Sequence, residues 1–290
     1  MKTPAYLPRV LFFSACLLFS FAESRAQETP ASTVPWAYGA YFGTGWYRID
    51  GDREIYVFRY TPRWEYREAS FSEDGTRTIG IEFRFPITAG LDNFSYDDLV
   101  GSVDPDNLTS LSVTPGIDIT VPITEKWQLR PFAAVGWGGT FSNSQSVLTY
   151  WGGVKSRYSS QHGKLDWALL NSVTYVGHTP SEGPSDDFWP IMAALEFDYP
   201  LGNLKLGGEQ AILNWYGMYT TFENRLENRL DDDSSVQITD QWEFGISIHK
   251  EHEPIKIWFM KYERLGLAYR FSTSGDFKGI SFVFRGIFDR

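Results

Sequence analysis

The chain has 290 residues, with 36 acidic against 26 basic side chains and a net charge of −10. That balance excludes a nucleic-acid partner, whose phosphates need basic side chains opposite them. A single cysteine, Cys16, excludes a disulfide framework and thiolate metal sites.

The first residues read as an export signal over 1–26. Lys2 and Arg9 give a positive start, Val10 to Ala22 an apolar run, and Ser24-Arg25-Ala26 a small-x-small cleavage site. The apolar run is too short to cross a bilayer as a helix, which needs about 20 residues. Cys16 sits inside that run, and Leu17 to Ala22 continue it where a lipoprotein would turn polar. Cleavage after Ala26 then leaves no cysteine, and a polar periplasmic leader follows over 27–35.

No later stretch approaches 18 consecutive apolar residues, so helical membrane spans are not expected. Yet 17% of the chain is aromatic, with 11 Trp and 16 Tyr. Alternation resolves the conflict, because a transmembrane β-barrel needs only its outward half to be apolar. The predicted class is all-β: an antiparallel up-and-down barrel over 36–288. Its twelve strands fall near 36–48, 54–67, 77–88, 110–123, 126–141, 146–158, 164–176, 189–199, 203–216, 236–249, 255–271 and 278–288. In the third, Ile79, Ile81, Phe83, Phe85 and Ile87 alternate with Thr78, Gly80, Glu82, Arg84 and Thr88. The second sets Tyr56, Phe58, Tyr60, Trp64 and Tyr66 against Arg59, Thr61, Arg63, Glu65 and Arg67. The fourth, fifth and tenth alternate as cleanly. The eleventh divides poorly and admits a break near Tyr262 to Arg264. Pro115 and Pro131 fall inside strands, where a missing N–H calls for a bulge or bend.

Connection lengths test the count. With both barrel ends periplasmic, the tight connections at Thr124-Glu125 and Pro200-Leu201-Gly202 fall inside, and the long ones at 89–109, 177–188 and 217–235 fall outside. Short periplasmic turns and long outer loops are the barrel rule.

The polar stripe carries charge: Arg59, Arg63, Glu65, Arg67, Glu82, Arg84, Asp118, Arg130, Lys155, Arg157, Glu196, Asp198, Glu243 and Arg285. These line a narrow water-filled channel, or they pair across the lumen and fill it. Eight-stranded barrels are filled and those with 16 to 18 strands are open, so twelve leaves both readings standing.

The last expected strand, Gly279-Ile-Ser-Phe-Val-Phe-Arg-Gly-Ile-Phe288, resembles the finishing strand of bacterial outer-membrane proteins. Thr114-Pro-Gly-Ile-Asp118, Trp127 to Gly136 and Leu265 to Phe271 resemble segments of autotransporter-type barrels. More narrowly, the chain resembles solitary autotransporter-like barrels, which lack a passenger; nine residues between cleavage site and first strand fit that expectation. The resemblance implies an outer-membrane location among lipids and lipopolysaccharide, with periplasmic chaperones and the barrel-insertion machinery as partners in biogenesis. Gly279, Phe282, Phe284 and Phe288 would then form the insertion signal, although Asp289 and Arg290 follow where such proteins commonly end on an aromatic.

Enzymatic chemistry finds little support, and no cofactor or metal is expected. A nucleophile needs a base and an orienting group in reach, and there are four histidines. Ser247 and His249 share one strand face, but by parity it is the lumen, whereas a lipase would present its triad to the bilayer. An omptin-like protease would need acids and a His–Asp pair at the outer rim. Asp97-Asp98, Asp186-Asp187 and Asp231 to Asp233 supply acids and His178 the nearby histidine, yet acid-rich loops are usually solvated. The expected role is a non-enzymatic barrel with long outer loops and a narrow polar lumen. A small porin or channel and an outer-membrane hydrolase are the alternatives.

Overall fold

The computed structural model describes residues 43–49, 53–72, 74–92, 108–140, 146–181, 185–231, 234–257 and 260–289. The expected signal peptide, the leader and most of the loop 89–109 lie outside them.

Alternation becomes a wall because extended segments must exchange backbone hydrogen bonds with neighbours. Here they do so in a closed ring. The strands are β1 (Gly45–Ile49), β2 (Arg53–Tyr60 and Arg63–Arg67), β3 (Gly80–Arg84 and Ile87–Asp92) and β4 (Leu108–Val113 and Gly116–Pro122). Then come β5 (Trp127–Thr140), β6 (Ser146–His162), β7 (Leu165–Pro180) and β8 (Asp186–Leu206). β9 (Glu209–Asp231), β10 (Ser234–Lys250), β11 (Arg264–Phe271) and β12 (Phe277–Val283) complete the set. Each pairs antiparallel with its chain neighbours, and β12 returns to β1, so the twelve strands leave no open edge.

Three neighbouring strands break at a proline at one height: Pro62 in β2, Pro86 in β3 and Pro115 in β4. Proline has no N–H to give, but its carbonyl still accepts. Phe85 donates to Pro62 (2.9 Å), Thr114 to Pro86 (2.9 Å) and Val135 to Pro115 (3.0 Å). The kink is thus carried from strand to strand without an orphaned carbonyl. Pro131 lies in unbroken β5, opposite Val154 of β6.

The wall is uneven in height. β8 and β9 have 21 and 23 residues, roughly twice the 9–11 a bilayer-spanning strand needs. The 217–235 loop is therefore corrected to strand: β9 runs to Asp231 and β10 starts at Ser234. Likewise 177–188 shrinks to a short link between Pro180 and Asp186. The turn expected at Pro200-Leu201-Gly202 is a register shift inside the β8–β9 ladder, and the chain reverses instead at Gly207-Gly208. Both glycines have positive φ (60° and 95°), as a two-residue hairpin turn demands. The expected eleventh strand divides into a small hairpin, Ile255–Ile257 with Met260–Tyr262, and β11. A second small hairpin, Ser70–Phe71 with Arg77–Thr78, hangs from the same end of the barrel. We call that end, where β1 begins and β12 ends, the near end.

The two faces differ as the alternation requires. Phe58, Tyr60, Trp64, Tyr66, Trp137, Phe244 and Ile246 stand bare on the outer face, Trp137 at 69% exposure. Such a surface is a liability in water and matches hydrocarbon; the barrel is transmembrane. Inward positions are closed off, but they are not uniformly polar, which corrects the polar-lumen expectation. Toward the far end Ile49, Ile55, Val57, Phe188, Phe222, Ile238 and Phe277 form a buried apolar cluster with Tyr47 and Trp151. A second cluster joins Ala168, Leu170, Met192, Ala194, Tyr216, Met218 and Ala268 to Ile287 and Phe288.

Candidate functional site: the lumen and the turn inside it

β12 stops at Val283, short of the expected 288, and the chain then turns into the lumen. Residues Ile287–Asp289 form one 3-10 turn, with Ile287 and Phe288 buried. Phe288 is therefore not an outward strand residue: it is buried in one apolar cluster with Leu170, Met192 and Met218 inside the barrel. Gly279 stays within β12, with the Tyr47 ring laid against it. Phe282 and Phe284 stack on each other at 6.0 Å between centroids, and Tyr262 covers Phe284.

The turn is held by cations from three strands. Arg130 of β5 donates to Asp289 Oδ1 (2.6 Å), and Arg63 of β2 lies 3.4 Å from the same oxygen. Lys155 of β6 donates to the Phe288 carbonyl (2.8 Å). Beneath them sits Asp118, 1% exposed, paired with Arg84 and 3.7 Å from Lys155. Charge-assisted bonds of this kind are roughly twice as strong as neutral ones, and four cations share the two carboxylates.

A second network crosses the near half. Glu196 of β8 accepts from Arg157 of β6 (2.9 Å) and from Arg264 of β11 (2.6 Å). Neither strand neighbours β8, so these bonds bridge the lumen rather than run along the wall. Asn214 of β9 links Glu196 (3.2 Å) to Asp198 (2.8 Å), and Ser247 donates to Asn214 Oδ1 (3.1 Å). Toward the far end Glu243 is fully buried, pairing with Arg270 and accepting from the Tyr216 hydroxyl.

Of the sequence-derived charges, Arg84, Asp118, Lys155, Glu196 and Glu243 are buried, while Arg59, Arg63, Glu82, Arg130, Arg157, Asp198 and Arg285 are half-buried. Glu65 and Arg67 are exposed near the hairpin that follows β2, away from these networks. Sequence reasoning did not single out Asp289, Arg264, Arg270 or Asn214. Arg264 and Arg270 carried a usable signal, since both fall on the polar face once β11 is taken to start at 264.

The Ser247–His249 pair does not form a nucleophile and base. Ser247 gives its proton to Asn214, and both His249 nitrogens face acceptors: Nε2 the Asp198 carboxylate (3.1 Å) and Nδ1 the Lys250 carbonyl (2.9 Å). Neither ring nitrogen is hydrogen-bonded to Ser247. His178 pairs across the ladder with Asp186.

Neither a protein-family description nor a curated protein sequence matches the chain. Two autotransporter barrels are among the solved structures similar to it. One is the β domain of the Bordetella autotransporter BrkA, at 8% identity and TM-score 0.49, covering 83% of this chain and 96% of that one. The other is the transport unit of the autotransporter AIDA-I from Escherichia coli, at 13% identity and TM-score 0.44, covering 83% and 90%.

Proposed function

We propose that the protein is an integral outer-membrane barrel of autotransporter-like type, non-enzymatic, with a lumen closed to solute flow. One observation carries this reading: the Ile287–Asp289 turn occupies the interior and is tied to β2, β5 and β6 at once. Glu196 bridges the same interior from β6 to β11. A channel needs binding weak enough for ions to leave, and paired buried charges present the reverse. The near end, with its small hairpins, faces the periplasm, and the tall β8–β10 wall presents its tips outside among lipopolysaccharide. Phe282 and Phe284 serve as the signal read by the insertion machinery after periplasmic chaperones deliver the chain. A Phe282→Ala, Phe284→Ala variant that inserts at the parental rate would remove that role.

Planar-bilayer recording tests the closure. The parent gives no resolved steps, and an Asp289→Ala, Phe288→Ala variant, which frees the turn, gives them. Steps from the parent that vanish on blocking the lumen would establish a channel instead. A lipase or protease activity lost in His178→Ala or His249→Ala would establish a hydrolase.

A further inference from the structure

The 287–289 turn lies in a cradle that holds it by side chain and by backbone. The Asp289 carboxylate accepts from Arg130 (2.6 Å) and lies 3.4 Å from Arg63, which also donates to the Asp289 carbonyl (2.5 Å). Lys155 donates to the Phe288 carbonyl (2.8 Å), and Phe288 shares its apolar cluster with Leu170, Met192 and Met218. The turn leaves this cradle partly filled. Two cavities of about 140 Å³ each border it, one lined by Arg285 and Asp289, the other by Ile287 and Phe288. Arg63 Nε, Arg130 Nε and Arg285 Nη1 are buried and meet no hydrogen-bond acceptor among the described residues. The turn can also leave without stranding a charge, a step that is otherwise costly in an interior. Arg63 keeps Glu82 (3.6 Å), and Lys155 and Arg130 keep Asp118 (3.7 and 4.0 Å). Its tether is slight: beyond β12 the Phe284 carbonyl accepts from Arg264 (3.2 Å), and Arg285 and Gly286 separate that bond from the turn.

A site that takes an aliphatic, an aromatic and an acidic side chain in succession, and two backbone carbonyls besides, has the chemistry of a peptide site. We propose that the cradle binds a peptide segment of that composition from another polypeptide, and that the 287–289 turn is its tethered competitor. The acid pairs with Arg130 and Arg63 in charge-assisted bonds, and the aromatic enters the cluster of Leu170, Met192 and Met218. Carbonyls of a longer segment reach the buried donors that the turn leaves unmet. Tethering holds the turn at an effective concentration on the order of millimolar, so an incoming segment displaces it only by contacts the turn lacks. The bordering cavities and the unmet donors supply them. Binding depends on the turn's place in the lumen and not on closure to flow; only approach from the periplasmic side rests on the orientation proposed above.

Fluorescence anisotropy of a dye-labelled, amidated peptide of residues 285–289 tests it, with the full chain refolded in a nonionic detergent. The Phe288→Ala, Asp289→Ala variant, whose own turn is released, binds the probe saturably, one per barrel. It does so at least tenfold more tightly than the parent. Probes carrying Asp289→Asn or Phe288→Ala bind that variant at least tenfold more weakly, and Arg130→Gln added to the variant has the same effect. Equal affinity of variant and parent would overturn the tethered competitor, and equal affinity of the Asp289→Asn probe would overturn the carboxylate cradle. In the chain itself, Asp289→Asn keeps the shape of the turn and removes its charge. If that folded variant binds the probe no better than the parent, the proposal falls even where the double variant fails to fold. Bilayer recording is scored apart: steps from the parent would remove the closed lumen and leave the binding result standing, and a silent parent with no binding would do the reverse.

Discussion

At the scale of single residues, the interior is organised around acids that hold more than one cation. Glu196 is the clearest, 1% exposed between Arg157 and Arg264. Removing one member of a buried ion pair is costly because the other charge stays behind, at about 3–5 kcal/mol. Glu196→Ala strands two guanidiniums and is expected to destabilise the folded barrel by that amount in reversible denaturant unfolding. Arg157→Ala leaves Glu196 its other partner and is expected to cost about 1 kcal/mol. Equal losses would mean that Arg264 does not reach across the lumen. A different residue-scale constraint acts at Gly245, where an added Cβ would sit 2.2 Å from the Tyr216 ring. Overpacking of this kind costs about 1–3 kcal/mol. Gly245→Ala should lower stability by that much and also loosen the hydroxyl that Tyr216 gives Glu243. The Tyr216→Phe, Gly245→Ala double variant separates the two contributions.

At the scale of elements, strand existence was legible and strand ends were not. Alternation in β2 to β5 and β10 is enforced by lipid on one side, so residues such as Phe244 and Asp118 declared their faces correctly. Where the inward side chains are themselves apolar the signal blurs: Arg59 and Arg63 set Tyr56 and Phe58 outward, but nothing marks Ile55 and Val57, on the inner face, as packed core. The far apolar cluster went unseen for this reason. Turns misled when proline stood near glycine. Pro200-Leu201-Gly202 reads as a break, yet Gly202 carries only a local positive φ of 62° within the strand. The reversal belongs to Gly207-Gly208, whose two left-handed residues fit a tight hairpin. A side chain in the left-handed region costs about 1–2 kcal/mol. A Gly207→Val, Gly208→Val variant is therefore expected to fold more slowly and end less stable by about 2–4 kcal/mol, whereas Gly202→Ala costs about half as much. Refolding into detergent, followed by tryptophan fluorescence, measures both. The turn at 287–289 had no sequence signal, since it depends on Asp289 meeting Arg63 and Arg130 from strands more than 150 residues away.

At the scale of the whole molecule, the exterior sets the depth at which the barrel sits. On β8 the outward row runs Trp189, Ile191, Ala193, Leu195, Phe197 and Tyr199, aromatic at both ends and aliphatic between. Trp189 packs on Tyr175 and Phe197 on Trp215, so the two aromatic levels continue onto the neighbouring strands. From Trp189 to Phe197 is roughly 25–30 Å of strand, the height of a barrel's apolar band once tilt is allowed for. Ala193 marks the midplane by this reading, and Leu204, exposed beyond the near aromatic level, lies outside the hydrocarbon. A cationic side chain on the lipid face costs about 2–4 kcal/mol at the midplane and about 0–1 near the interface. Ala193→Arg should lose the larger amount and Leu204→Arg the smaller, measured by unfolding from lipid vesicles. Repeating the pair in detergent, where the surrounding hydrocarbon rearranges around a charge, should shrink the difference. A difference that is absent in vesicles would mean that the bare outer face meets something other than lipid. The inner face would then have to be reassigned with it, because alternation ties the two together residue by residue.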